Sequence, residues 1–458
     1  MPGGTAAVLA LCLVAALPGS ALAAGEAGGA DVPGYGIAED ARQIKGAASS
    51  GDGPELKPGT YRDTIGRGEK RYYSVNLDAK SSAFLSAVAA PEPGSKVGTV
   101  GEGLEISLET VDGDECGSDD PQFRAGGRSY PIAGTASRLM GEDDECQKAG
   151  PYLLSVERVG SDTSGRGRWP LELRYMSEPG LKGSVPTAPG DNGADDEPPT
   201  PVTGSAKKQA NGGTGFNDAG ALSTGVWKDA IEPGETRFYR VPVDWGQRLN
   251  TSVELSSSSE GGEFPPTVFN ALGLTAYNPA RGQLEDDDFT DYHAESASVG
   301  AYTPVVDFGN RFANSGAEAP FAGWYYLEVT ASPELAKYFK KSAPLTLRVD
   351  VRGKAKEAPA YDGDAVAAGF GVSEDDREQA EEGLSAAEAE RSGTLRTVAV
   401  TGIGVGAGLI LVLVAWTLIA RRRAGRDATV TSAPHPQQPQ NPQQPQPYGY
   451  PPSGNGWQ

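Results

Sequence analysis

GTYRDTIGRGEKRYYSVNLD, residues 59–78, returns as GVWKDAIEPGETRFYRVPVD, residues 225–244, in register and without a gap. Nine of the twenty positions are identical: Gly59/Gly225, Asp63/Asp229, Ile65/Ile231, Gly68/Gly234, Glu69/Glu235, Arg71/Arg237, Tyr73/Tyr239, Val75/Val241 and Asp78/Asp244. Tyr61/Trp227, Arg62/Lys228, Tyr72/Phe238 and Leu77/Val243 are conservative pairs. Agreement this dense over so short a stretch marks one module present twice.

Within the stretch, Tyr73, Val75 and Leu77 alternate with Tyr72, Ser74 and Asn76, and Tyr239, Val241 and Val243 alternate with Phe238, Arg240 and Pro242. A period of two is that of a strand, so the first set of each copy is expected inside and the second outside. Gly68-Glu69 and Pro233-Gly234-Glu235 supply the preceding turns. Pro242 cannot donate to a ladder, which predicts a sheet edge or an outward position there. Each copy closes alike. GPYLLSV (150–156) corresponds to GWYYLEV (323–329), and PLELR (170–174) to PLTLR (344–348). In the closing strands Tyr152, Leu154 and Val156 share one face, as do Tyr325, Leu327 and Val329. Short strands, Gly/Pro turns and hardly any helical period predict a mainly β chain with two tandem sandwiches, at 55–180 and 222–352.

Between them, residues 181–221 hold few large apolar groups and are expected to be a flexible linker, because too little surface can be buried to offset the ordering entropy. Residues 24–54 read similarly, apart from a short helix expected around Ile37 to Lys45. Residues 353–396 form a charged stretch in which Glu374 to Arg391 has helix-forming composition, read as a stalk. Thr397 to Ala420 are uncharged and mostly apolar, and Arg421, Arg422 and Arg423 follow. At about 1.5 Å per residue such a run crosses the roughly 30 Å hydrocarbon core once. The arginines keep the tail, 421–458, on the cytoplasmic side; its Pro/Gln-rich composition predicts disorder. Residues 1–23 read as a secretory signal peptide with an Ala21-Leu22-Ala23 cleavage pattern, although no Lys or Arg precedes the apolar run, as a start assigned too far downstream would explain. The topology expected is single-pass at the plasma membrane, with the N-terminal part extracellular.

The Gly-Glu-x-Arg-Tyr/Phe-Tyr-x-Val step (68–75, 234–241) and the later Gly-x-Tyr-x-Leu-x-Val strand resemble bacterial pre-peptidase C-terminal (PPC-like) domains, small jelly-roll-type β-sandwiches of secreted proteins. Asp244-Trp245-Gly246-Gln247-Arg248-Leu249 also looks like that family's turn; residues 78–83 of the first copy lack its glycine. The chain is similar, too, to accessory β-regions of exported actinobacterial von Willebrand A-type proteins, without the Asp-x-Ser-x-Ser metal motif of that domain itself. The resemblance implies jelly-roll-like modules that are non-catalytic companions.

The formal charge of -21 disfavours nucleic acid, whose phosphates need a basic face. Of three cysteines, Cys12 lies in the signal peptide, which leaves Cys116 and Cys146 for one disulfide in an exported chain. The alternative is two free buried thiols. His293 is the one histidine of the exported part, and any Ser-His-Asp hydrolase would have to use it. No nucleophile elbow, P-loop or zinc spacing accompanies it. Asp286, Asp287, Asp288 and Asp291 form one oxygen-rich calcium candidate. Asp112, Asp114 and Glu115 beside Cys116, with Glu142 to Glu145 beside Cys146, form another. Trp227, Phe238, Trp245, Trp324 and Tyr326 are a candidate sugar-stacking platform or, equally, sandwich core. Gly402, Gly404, Gly406 and Gly408 carry the small-residue spacing of a membrane-helix dimer. Taken together, these features predict a non-catalytic, cofactor-free surface protein that binds an envelope or secreted protein for adhesion or scaffolding. The alternatives are a calcium- or glycan-dependent wall-binding module, and a membrane-anchored hydrolase.

Overall fold

Among the described residues, twenty strands fall into four five-stranded sheets, and the second ten strands repeat the first ten one for one. The computed structural model describes residues 32–141, 145–160, 164–183, 202–206, 208–260, 265–284, 288–312, 319–386, 388–389, 391 and 413–419. The first sandwich comprises β1 (Arg42–Gln43), β2 (Glu55–Leu56), β3 (Gly59–Ile65), β4 (Lys70–Leu77), β5 (Ser82–Ala89), β6 (Gly103–Thr110), β7 (Glu115–Asp119), β8 (Ile132–Arg138), β9 (Gly150–Val159) and β10 (Trp169–Glu178). Its sheets run β1-β3-β10-β5-β8 and β2-β4-β9-β6-β7.

The second sandwich comprises β11 (Lys208–Gln209), β12 (Gly220–Ala221), β13 (Gly225–Ile231), β14 (Thr236–Val243), β15 (Arg248–Leu255), β16 (Val268–Tyr277), β17 (Asp288–Tyr292), β18 (Ala297–Tyr302), β19 (Gly323–Ala331) and β20 (Ala343–Arg352). Its sheets run β11-β13-β20-β15-β18 and β12-β14-β19-β16-β17. Without the two-residue strands, each module keeps eight strands in the interlocked Greek-key order of a jelly roll.

The identical positions of the repeat hold the same buried network in both copies. The Asp63 carboxylate accepts from the Gly46 N–H at 2.7 Å and from the Tyr73 hydroxyl at 2.8 Å. Asp229 does the same for Gly212 at 2.9 Å and Tyr239 at 2.8 Å. Glu69 closes its turn on the Gly66 N–H at 2.7 Å and pairs with Arg71 at 2.6 Å. Glu235 closes on Glu232 at 2.6 Å and pairs with Arg237 at 2.9 Å. Each network ties the segment before the module into it, which is why those segments fold. The helix expected near Ile37 to Lys45 is absent among the described residues. Arg42–Gln43 instead lie parallel to β3, as Lys208–Gln209 lie parallel to β13. Lys208 to Ala221 therefore belong to the second sandwich rather than to a flexible linker. Backbone N–H groups with a waiting carboxylate need little apolar surface to become ordered.

The two sandwiches stack face to face. Inside each, the expected alternation holds: Tyr73, Val75, Leu77, Tyr152, Leu154 and Val156 are core, as are Tyr239, Val241, Val243, Tyr325, Leu327 and Val329. Phe238, expected to face solvent, is fully buried. It points out of its own sandwich and meets the outward face of the first one, where Val88, Ala133, Phe216, Tyr277 and Tyr326 form a shared cluster. β5 is consequently buried along all eight residues, one face towards each module. Pro242 lies beyond the two residues of β12 paired to β14, where the ladder on that side has ended.

The chain divides into two units, 1–390 and 391–458. In the first, residues 353–386 pack onto the sandwiches instead of forming a free stalk: Tyr361 and Phe370 are buried. A helix, α1 (Glu374–Glu382), follows, started by a Ser373–Asp376 capping box and stopped by Gly383 in the left-handed region. In the second, residues 413–419 are helical, with Leu413, Trp416 and Leu418 exposed. Among the described residues no helix is long and apolar enough to cross a membrane. The signal peptide, most of the expected span with Gly402, Gly404, Gly406 and Gly408, the Arg421–Arg423 cluster and the tail lie outside the described residues.

Candidate functional site

Two buried ion pairs cross the seam between the sandwiches. Glu172, on the outward face of β10, pairs with Arg281 from the β16–β17 connection; both are fully buried. The carboxylate also accepts from the Ala38 N–H at 2.9 Å, the Asn217 amide at 2.8 Å and the Tyr35 hydroxyl at 3.2 Å. Burial alone would raise the Glu172 pKa, but Arg281 and these hydrogen bonds outweigh it and hold the carboxyl below its ordinary range. Burial pushes the Tyr35 hydroxyl well above its usual value, so it stays a neutral donor. Arg281 sits at φ 68, a strained setting for an arginine, and its guanidinium stacks over Phe216 at 4.7 Å.

Further along β10, Glu178 takes both Arg311 nitrogens, at 2.7 and 2.9 Å, and the Tyr361 hydroxyl at 2.6 Å. Phe84, Phe321 and Phe370 pack edge-on or tilted beside it, with centroids 5.0–5.5 Å apart. Three parts of the chain meet here: the first sandwich, the second sandwich and the segment after it.

α1 lies against the edge of the second sandwich. Trp324 donates from its indole to Asp376 at 2.9 Å, and Arg240 donates to Gln379 at 2.9 Å while stacked 4.2 Å over Trp324. Arg377 pairs with Asp244, and Lys208 donates to the Glu381 carbonyl at 3.1 Å. Past the helix, the Ala221 N–H donates to the Leu384 carbonyl at 3.0 Å, and Gly220 bridges Ser385 antiparallel. A cleft of about 600 Å³ stays open between α1 and Lys208, Pro242, Asp244 and Gln247.

The residues singled out in the sequence are placed as follows. Cys116 and Cys146 are bonded, joining β7 to the turn before β9. Among the described residues, no three His, Cys, Asp or Glu side chains gather as a metal site. Asp114 and Glu115 use their carboxylates on Thr110 and Ser118, and Asp291 accepts from the Asn270 N–H. Asp286, Asp287 and Glu142 to Asp144 lie outside the described residues; Asp288 starts β17 and is exposed. His293 is exposed just after β17. The aromatic platform does not form: Trp227, Phe238, Trp245 and Tyr326 are buried, and Trp324 is covered by Arg240 and Asp376. Period two assigns a face, but not whether another sheet covers that face. The seam residues Glu172, Glu178, Arg281 and Arg311 carried no signal beyond being charges near apolar strands.

A scan against protein-family models gave no match, and neither did a search of curated proteins. Among solved structures, the pre-peptidase C-terminal domain of a collagenase from Bacillus anthracis is 15% identical, over 31% of this chain and 98% of that one, at a TM-score of 0.17. A tandem CBM22 pair from Paenibacillus barcinonensis Xyn10C is 11% identical over 65% and 92%, at 0.17. Tandem CBM51 modules of a Streptococcus pneumoniae family 98 glycoside hydrolase are 11% identical over 64% and 84%, at 0.18. The β-sandwich assignment rests on this chain's own strand order.

Proposed function

We propose that the chain is a non-catalytic cell-surface protein whose folded part is a single rigid body for binding another protein, in adhesion or scaffolding. The observation that carries this reading is the seam. Glu172–Arg281 and Glu178–Arg311 lock two jelly rolls face to face, and the repeat's buried carboxylates are engaged in holding strands together. Burying such charges makes sense for a body whose shape must stay fixed. Residues 397–420 would hold it at the plasma membrane, with Arg421, Arg422 and Arg423 inside, and Gly404 and Gly408 would let two spans pair. Of the alternatives, glycan binding loses its aromatic platform to the core.

The test uses the soluble part, residues 24–396, as bait on intact cells. A specific protein captured at stoichiometric yield is the expected result. Recovery of nothing beyond a scrambled-surface control, with retention on insoluble wall glycan instead, would replace this reading by the glycan one. Protease added to whole cells should cut within 32–389 and spare the Pro/Gln tail.

A further inference from the structure

We propose that residues 373–386 are a removable strap over a groove on the second sandwich, and that the groove accepts in its place an acidic segment of a partner protein. This deepens the protein-binding reading and rests on it. The bound strap shows the chemistry of its replacement. Gly220 and Ala221 offer a sheet edge, and Leu384–Ser385 pair with it as a short added strand. The groove supplies three donors, Arg240, Trp324 and Lys208, to strap acceptors at Asp376, Gln379 and the Glu381 carbonyl, against one contact in the other sense, Arg377 of the strap on Asp244. A short carboxylate-bearing helix followed by an extended pair of residues fits both halves.

Three observations separate the strap from the chain before it. Tyr361 and Phe370 are anchored in the core, whereas Ala380 is the one residue that α1 buries. Segments held by polar contacts with little buried apolar surface open first. The cleft of about 600 Å³ beside α1 leaves the groove incompletely filled, giving an incoming segment a place to start. Finally, the sandwiches share one strand order but differ at this edge. The positions of Arg240 and Trp324 are taken by Ser74 and Pro151 in the first copy, judged from the paired strands. Arg240 and Trp324 therefore belong to the second copy alone, whereas Lys208 has a counterpart in Arg42 of the first.

Gly383→Ala in the full chain tests this. Gly383 has φ 73, and an added Cβ would sit 2.8 Å from the Trp227 ring, so the substitution strains the strap's end where it meets the sandwich. Hydrogen exchange at the Ala221 amide should speed by about tenfold or more while β14–β19 amides hold. A fluorescein-labelled peptide of residues 373–391 should bind the variant and not the wild type, and adding Arg240→Glu should abolish that binding. Should Gly383→Ala fail to fold, Arg377→Glu with Gln379→Ala gives the same readouts. Unchanged exchange at Ala221, or peptide binding that is equal in wild type and variant or insensitive to Arg240→Glu, overturns the strap. A failed capture on intact cells would sink the protein-binding reading without altering the peptide result.

Discussion

Glu178 and Arg311 sit on different sandwiches, 133 positions apart, and meet in a two-point carboxylate–guanidinium pair that is almost wholly buried. Removing one partner leaves the other charged and unpaired in the seam, which costs about 3–5 kcal/mol. Arg311→Met should therefore lower stability by that order and, because the pair couples the modules, divide one thermal transition into two. Calorimetry reads both effects. Adding Glu178→Leu together with Tyr361→Phe should return most of the loss, since the apolar set then leaves neither the charge nor the Tyr361 hydroxyl without a partner.

Gly46 and Gly212 make a matched experiment. An added Cβ at either would lie 2.7 or 2.8 Å from the ring of Tyr73 or Tyr239 and about as close to Arg71 or Arg237. Such overpacking costs about 1–3 kcal/mol. Gly46→Ala and Gly212→Ala should destabilise by similar amounts in urea melts, and each should increase protease cutting in the segment before its own module. Markedly unequal losses would mean that the two networks are not equivalent.

The repeat and its alternation carried the two sandwiches, and the cysteine pair carried the disulfide, because both signals are local or exclusive. Other features could not be read that way. Phe238 alternates as an outward residue should; what covers it is Phe216 and Tyr35, from segments outside the strands, in a cluster that reaches Val88 and Ala133 of the first sandwich. Arg42–Gln43 and Lys208–Gln209 look like linker because composition counts apolar groups, whereas these segments are ordered through Asp63 and Asp229. Glu374 to Glu382 showed helical composition, yet its contact with Trp324 and Arg240 depends on side chains that sequence spacing cannot bring together.

Acid should loosen the seam. The Glu172 pKa is lowered in the fold, so its contribution is complete above the unfolded value of about 4.3 and is lost as pH falls through the lower folded value. Asp119 works oppositely: burial raises its pKa, so its contribution is present at low pH and fades as pH rises through the folded value. A profile of Tm against pH from 2 to about 6 should therefore rise with pH, and Glu172→Gln should flatten that limb. An unchanged slope in the variant would remove Glu172 as its source.

The bond between Cys116 and Cys146 spans 30 positions, and a loop of that size stabilises the fold by about 3–4 kcal/mol on the chain-entropy account. It lies entirely in the first sandwich; the second has no cysteine. Cys146 is buried while Cys116 is partly exposed, which gives a reductant an approach from one side. Reduction should lower the Tm of the joint transition by about 5 °C. With the seam intact, the modules melt together and the whole transition should move. In Arg311→Met, where they are expected to separate, reduction should shift the first-sandwich transition and leave the second in place. If both shift equally there, the coupling between the sandwiches runs through contacts other than the Glu178–Arg311 pair, with Glu172–Arg281 the next to remove.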